Sequence, residues 1–266
     1  MDSQVEHIMQ ELESLGTERT KKSYLSRGVR EPLFGVATGA MKSLLKETGL
    51  HQDLSDLLYE TGNFDAMYFA GMIAEPEKMT AADFNRWMDG AYTELIASGI
   101  VAVTLAESPL AQEIAATWIE DERALFEVAG WSCYEWLLGY LPDEKIDKAK
   151  ISELLNKISD AIHIEPDNVK LAMINFVIAV GVSYLPLHNE ALITANIIEG
   201  QTVDKKGKQI KAPSALSAIN NAIEKKSTWL QASCSSLLAP CFYLGKMFRA
   251  RVACFVLVDF FNQNQL

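Results

Sequence analysis

The stretch EPLFGVATGAMKSLLKETG, residues 31–49, sets Gly35 and Gly39 four apart and follows them with a helix-forming run that carries Lys42 and Lys46. Two readings compete for it. A nucleotide P-loop needs a glycine, four residues and then Gly-Lys-Ser/Thr, so that the lysine leaves the turn directly and reaches the phosphates. Here Ala40 and Met41 separate Gly39 from Lys42, and no apolar strand precedes the turn. The stretch therefore reads as the start of a helix in a larger assembly, and the flanking sequence decides which assembly.

Outward from that point the period is helical almost everywhere. Upstream, Val5, Ile8, Met9, Leu12 and Leu15 recur at helical spacing until Gly16 ends the run, which gives one apolar face and a stop. Downstream, helical segments are predicted over 17–27, 38–48, 51–62, 64–74, 80–88, 92–105, 108–119, 122–140, 148–162, 167–184, 189–198 and 214–225. Thr80, Ser108, Asp167 and Ser214 stand where N-caps belong, and Pro76, Pro142, Pro166 and Pro186 fall at junctions. The connections are short, which makes successive helices antiparallel neighbours. The predicted fold is all-α, either a solenoid of helix pairs of the HEAT kind or a compact helical bundle. One segment, 199–213, breaks the period: EGQTVDKKGKQIKAP is lysine-rich, holds two glycines and reads as a basic loop or hairpin.

The chain has 266 residues, 49% hydrophobic and 22% charged, which is ordinary globular usage. No apolar run of 18 residues predicts a membrane span, and the N-terminus lacks a secretory pattern. Cys133, Cys234, Cys241 and Cys254 form no CxxC pair and fit buried thiols, so a cytoplasmic protein is expected. A net charge of −11 counts against nucleic-acid binding unless the Lys and Arg gather on one face.

Chemical motifs are sparse. His7, His51, His163 and His188 are scattered, so no metal site is predicted, and no cofactor is implied. GVSYL at residues 181–185 lacks the second glycine of a nucleophile elbow. In GWSCYEWLLGY, residues 130–140, Trp131 and Trp136 read first as groove-filling core residues; stacking on a base or sugar is the functional alternative. The EDE run at 120–122 is explained by favourable charge at a helix start.

Three stretches taken together carry a resemblance: EPLFGVATGAMKSLLKE (31–47), DLLYETGNFDAMYFAGMIAEPEKMT (56–80), and AMINFVIAVGVSYLPLHNEAL (172–192) with the lysine-rich loop behind it. In this order and spacing they resemble the bacterial DNA alkylation repair family, the HEAT-like-repeat DNA glycosylases that act on alkylated purines. The resemblance runs from about residue 5 to 226. It implies an α-solenoid, C-shaped, of HEAT-like antiparallel helix pairs, with a concave face that cradles double-stranded or structured DNA. A domain over 1–226 and an atypical apolar, basic tail over 227–266 follow from it.

In that family the resemblance implies aromatic rings packed on the sugar beside a carboxylate, stabilising the positive charge that builds as a cationic purine leaves. Laid along the family pattern, the tryptophan and aspartate positions hold Glu94 and Ser98, one helical turn apart. The second tryptophan position holds Asn175, and the basic position before AGW holds Glu127 or Val128. Lys42, Lys46, Arg86, Lys170, Lys208 and Lys211 are the expected phosphate contacts. Three functions are thus in contention: a DNA-binding relative whose catalytic constellation is substituted, a glycosylase using Glu94 as a displaced carboxylate, and a non-catalytic HEAT scaffold for a protein partner.

Overall fold

A computed structural model of the chain describes residues 2–205 and 207–234. They divide into two compact units, Met1–Tyr134 and Glu135–Leu266.

The first unit begins with α1 (Asp2–Leu15) and α2 (Glu18–Ser26), continues through a 3-10 turn (Thr38–Met41) into α3 (Lys42–Thr48), and then α4 (Gln52–Glu60), α5 (Phe64–Ile73) and α6 (Ala81–Gly90). Next comes one unbroken helical run: α7 (Glu94–Ile96), a π turn (Ala97–Val101) and α8 (Ala102–Ala106). Then follow α9 (Ala111–Ile119) and α10 (Ala124–Tyr140), whose last turns belong to the second unit. That unit holds α11 (Lys148–Ala161), α12 (Asp167–Ser183), α13 (His188–Ile197), the strands β1 (Thr202–Lys205) and β2 (Lys208–Lys211), and α14 (Ala215–Cys234). The fold is all-α, with one antiparallel ribbon as its strand element among the described residues. The expected boundary at 226 falls inside α14, and residues 235–266 of the expected tail lie outside the described residues.

Local chemistry fixes the helix starts. At Thr80 a reciprocal box forms: its hydroxyl accepts the Asp83 N–H, and the Asp83 carboxylate accepts the Thr80 N–H at 2.9 Å. Ser214 caps α14 by accepting the Ser217 N–H. Two expected caps are corrected. Ser108 lies in the turn before α9, where its hydroxyl accepts from Leu110, itself the residue at the cap. Asp167 is the first residue inside α12, because Pro166 takes the cap and frees the carboxylate for another use described below.

In the first unit α4 and α5, joined by a three-residue turn, pack against each other and bury Leu58, Met67, Phe69 and Ile73. The Tyr59 ring stacks on Trp87 at 4.2 Å, its hydroxyl donates to the Trp87 carbonyl, and the Trp87 indole donates to Asp56. Each buried aromatic thus satisfies its polar tip while adding large apolar area. In the second unit α12 is the central helix: Val169, Met173, Phe176, Val177 and Val180 are buried against α13 and α14. A Cβ at Gly181 would lie 2.5 Å from Cδ1 of Ile219, so only glycine lets α14 approach this closely. Among the described residues no single helix is long and apolar enough to cross a membrane.

The stretch at 31–49 has a specific answer. Asp65, fully buried on α5, accepts the N–H of Phe34 (2.6 Å) and Gly35 (2.9 Å) on one carboxylate oxygen and of Val36 (2.8 Å) on the other. Successive backbone N–H groups converging on an anion form a nest. The anion held here is the protein's own carboxylate, and the loop is a clamp between α5 and the N-terminal helices. Gly35 sits at φ +81°, and a Cβ there would meet the Lys21 backbone nitrogen at 2.5 Å. Lys42 and Lys46 project from α3 as exposed side chains.

Candidate nucleic-acid interface

The ribbon pairs Val203 with Ile210 and Lys205 with Lys208. Side chains alternate along a strand, so Lys208 shares the face of Ile210 and Lys211 the opposite face. Two-stranded ribbons are marginal in water by themselves, and this one is anchored at its base. Val203 is buried, the Asp204 N–H donates to Asp167 at 2.7 Å, and the Ala212 N–H donates to the Gln201 carbonyl. Near the tip, the Gly207 N–H donates to Asp204. Lys208 and Lys211 are both exposed, and neither has an ion-pair partner among the described residues.

The other expected phosphate contacts divide. Lys42 and Lys46 are exposed and carry no ion pair among the described residues. Arg86 is committed: its guanidinium bonds Asp83 at 2.7 Å and Asp56 at 3.1 Å. Lys170 is largely covered, with its ammonium 3.6 Å from the Asp167 carboxylate that pins the ribbon.

The residues that the resemblance aligns with the family's catalytic groups lie in different settings. Glu94 is exposed in the first turn after its cap Thr93, and Ser98 is half-buried inside the π turn. The π turn begins at Ala97 and closes from the Ala102 N–H to the Ala97 carbonyl, while Ile96 and Ala97, between Glu94 and Ser98, keep right-handed helical backbone angles. Asn175 is half-buried on α12 in the other unit. Glu127 is engaged by the Trp131 indole at 3.2 Å, and Trp131 and Tyr134 are fully buried core residues, unavailable for stacking on a base. A cavity of about 350 Å³ is lined by Met88, Asp89, Ala91, Arg123 and Phe126 among others. Arg123 covers the buried Phe126 ring at 3.4 Å, so the ring is closed to a ligand, and the exposed guanidinium already pairs with Asp89 and Asp121.

One unforeseen carboxyl is Glu135 on α10, which burial pushes up to about 7. Half-protonated near neutrality, it would be a weak counter-ion for a developing cation. The Cys133 thiol is also pushed up by burial, which makes it unreactive. A second unforeseen feature is charge clustering. Residues 19–46 hold seven Lys and Arg against the single acid Glu31, while 47–134 hold three against sixteen acids. That asymmetry is legible from the sequence once charge is counted by segment rather than over the whole chain.

Comparison with known proteins supplies what this geometry leaves open. The model of a family described as DNA alkylation repair enzyme matches residues 8–225. The chain is 25% identical over 219 residues to the uncharacterized protein Lmo0209 of Listeria monocytogenes, covering 80% of this chain and 94% of that protein. Lin0241 of Listeria innocua matches with the same identity and coverage. A solved structure from a family related to the HEAT-like repeat DNA glycosylases, with affinity for branched DNA structures, superposes with a TM-score of 0.81 at 47% identity, over 83% of this chain and 94% of that one. The helix pairs described above are thus of the HEAT-like kind. With a matching family model over most of its length and a fold shared with this glycosylase-related group, the chain belongs to the DNA alkylation repair enzyme family.

Proposed function

We propose that the chain binds branched DNA on the concave helical face implied for the family, with Lys208 and Lys211 of the ribbon as phosphate contacts and without a working glycosylase centre. The observation that carries this reading is the ribbon itself: two exposed lysines, unpaired among the described residues, on a strand pair anchored by Val203 and Asp167. The branched-DNA affinity described for the relative at 47% identity supports it. Lys42 and Lys46 are proposed as further contacts. Arg86 is left out because two carboxylates occupy it. Loss of base excision is supported by Glu94, Ser98 and Asn175 at the catalytic positions, none of them an aromatic ring.

Charge reversal at Lys208 and Lys211 tests the ribbon. Each phosphate contact contributes about one unit to the slope of log affinity against log salt, so the double variant shallows that slope by about two and weakens binding roughly tenfold or more. An unchanged slope and affinity would overturn the ribbon's role. For chemistry, excess protein is incubated with alkylated duplex under single-turnover conditions. No 7-methylguanine or 3-methyladenine release above the spontaneous rate is expected; release by the wild type, abolished by Glu94→Gln, would establish a rearranged glycosylase instead. A protein-binding scaffold is the second reading, favoured by the sixteen acids of 47–134. It gains if the wild type fails to bind any DNA.

A further inference from the structure

The α2 helix is built to display charge. None of its nine residues is buried. Its inner side rests on Tyr24, whose ring lies 4.8 Å from Phe64 and whose hydroxyl donates to the Val36 carbonyl at 3.1 Å. Beside it, the Lys21 ammonium pairs with Glu31 at 2.8 Å, and the helix carries one acid of its own, Glu18, in its first turn, where a negative charge favours the helix start. The outer side is Arg19, Lys22, Ser23 and Ser26, at i, i+3, i+4 and i+7; the Ser26 hydroxyl donates to the Ser23 carbonyl at 2.8 Å, which leaves two cations and the Ser23 hydroxyl on this face. Arg27 and Arg30 follow, both exposed, and the Arg30 guanidinium lies 4.2 Å over the Tyr92 ring.

None of Arg19, Lys22, Arg27 and Arg30 has an ion-pair partner among the described residues. The first unit nevertheless carries 22 acids against ten Lys and Arg. Carboxylates are plentiful there, so the lack of pairing at α2 is a matter of placement. A short helix without buried side chains adds little to the core, and what it presents is a row of donors suited to phosphate oxygens. Arginine and lysine neutralise phosphates and hydroxyls donate to them, without reading base sequence.

Resting on the DNA-binding reading above, we infer that the outer face of α2 is a second backbone contact, which takes an arm of branched DNA separate from the arm held at the ribbon. The ribbon and α2 belong to different units, and both are cationic within an acidic chain. A linear duplex needs one such contact. A junction, with several arms, can use both, and the second adds through effective concentration rather than through new chemistry.

The test uses the full chain as wild type, R19E/K22E and K208E/K211E, on a four-way junction and on a linear duplex with the sequence of one arm. R19E/K22E is expected to weaken junction binding about tenfold and to shallow its salt slope by about two, with linear-duplex binding unchanged. K208E/K211E weakens both substrates. Thermal unfolding of each variant reports folding, and R19Q/K22Q should give an intermediate loss. Equal loss on junction and duplex for R19E/K22E would place α2 in a single duplex site and overturn the inference. No loss on either would also overturn it, while the ribbon variant's effect would leave the proposed function standing. Loss of binding to phosphatidylserine vesicles with junction affinity intact would assign the face to a lipid surface. A wild type that binds neither DNA would sink the proposed function and this inference with it.

Discussion

The cationic stretches at 19–46 and 199–213 are mounted on the molecule in opposite ways. The first is fastened from beneath: the Asp65 carboxylate holds three consecutive backbone N–H groups at 2.6–2.9 Å, and the Thr17 N–H donates to the Gly35 carbonyl. The second is fastened at its root, where Val203 is buried and an exposed aspartate accepts one N–H from Asp204. Its remaining backbone bonds run mostly within the ribbon. A cation displayed over a buried polar clamp shares the stability of the core, whereas one on a ribbon can be changed almost without touching the fold. The comparison separates what holds the chain together from what meets the ligand.

The most disruptive way to break that contrast is Asp65→Ala. It strands three backbone donors, at about 1–3 kcal/mol for each group left unsatisfied. We expect a loss of about 4 kcal/mol in urea unfolding, enough to unfold a marginal domain. A loss below about 1 kcal/mol would erase the distinction. Gly35→Ala comes next, at about 2–3 kcal/mol in the same measurement, since it combines a left-handed backbone with a 2.5 Å contact to Lys21. Asp167→Ala removes the ribbon's exposed tie and should cost about 1 kcal/mol or less. Its sharper signature is faster amide exchange at Asp204, with the amides of Phe34, Gly35 and Val36 unaffected. K208E/K211E should move the unfolding midpoint by no more than about 0.5 kcal/mol. A large shift would show that the ribbon's lysines are structural.

Glu135 adds a pH signature inside a helix. Its folded-state carboxyl lies at about 7 against 4.5 ordinarily, so between those values the folded protein binds a proton that the unfolded chain does not. Stability contributed by this group therefore falls as pH rises from about 4.5 to 7. Glu135→Gln should remove that fall, leaving the variant more stable than wild type at pH 8 by about 1–3 kcal/mol. Parallel pH–stability curves for the two proteins would refute the assignment.

Much of the architecture was legible in the sequence because amphipathic spacing is local. Val5, Ile8, Leu12 and Leu15 announce α1 within a dozen residues, and the lysine-rich break at 199–213 marks the ribbon. The Thr80 cap is readable since both halves of its box lie three residues apart. What could not be read depends on partners distant in the chain or on backbone detail. The Asp65 clamp reaches back about thirty residues, and in sequence Asp65 looks like ordinary first-turn acid. The π turn at Ala97–Val101 is written in small and aliphatic residues that carry no distinct period. Of the two partners that occupy Arg86, Asp83 is a readable i,i+3 neighbour, whereas Asp56, thirty positions away, is invisible to local inspection.

The clamp has a consequence for the order of events during synthesis. The amide hydrogens of Phe34, Gly35 and Val36 find their acceptor only when Asp65 has emerged and the first turn of α5 has formed behind the Asn63 cap. Closing a loop of that length costs entropy before any bond rewards it. The loop that ties the N-terminal helices to α5 therefore depends on a segment made later. Tyr24 waits for the same helix, since its ring partner Phe64 precedes Asp65 by one residue. The cationic segment at 19–46 thus gains its clamp only once the chain has been made past Asp65.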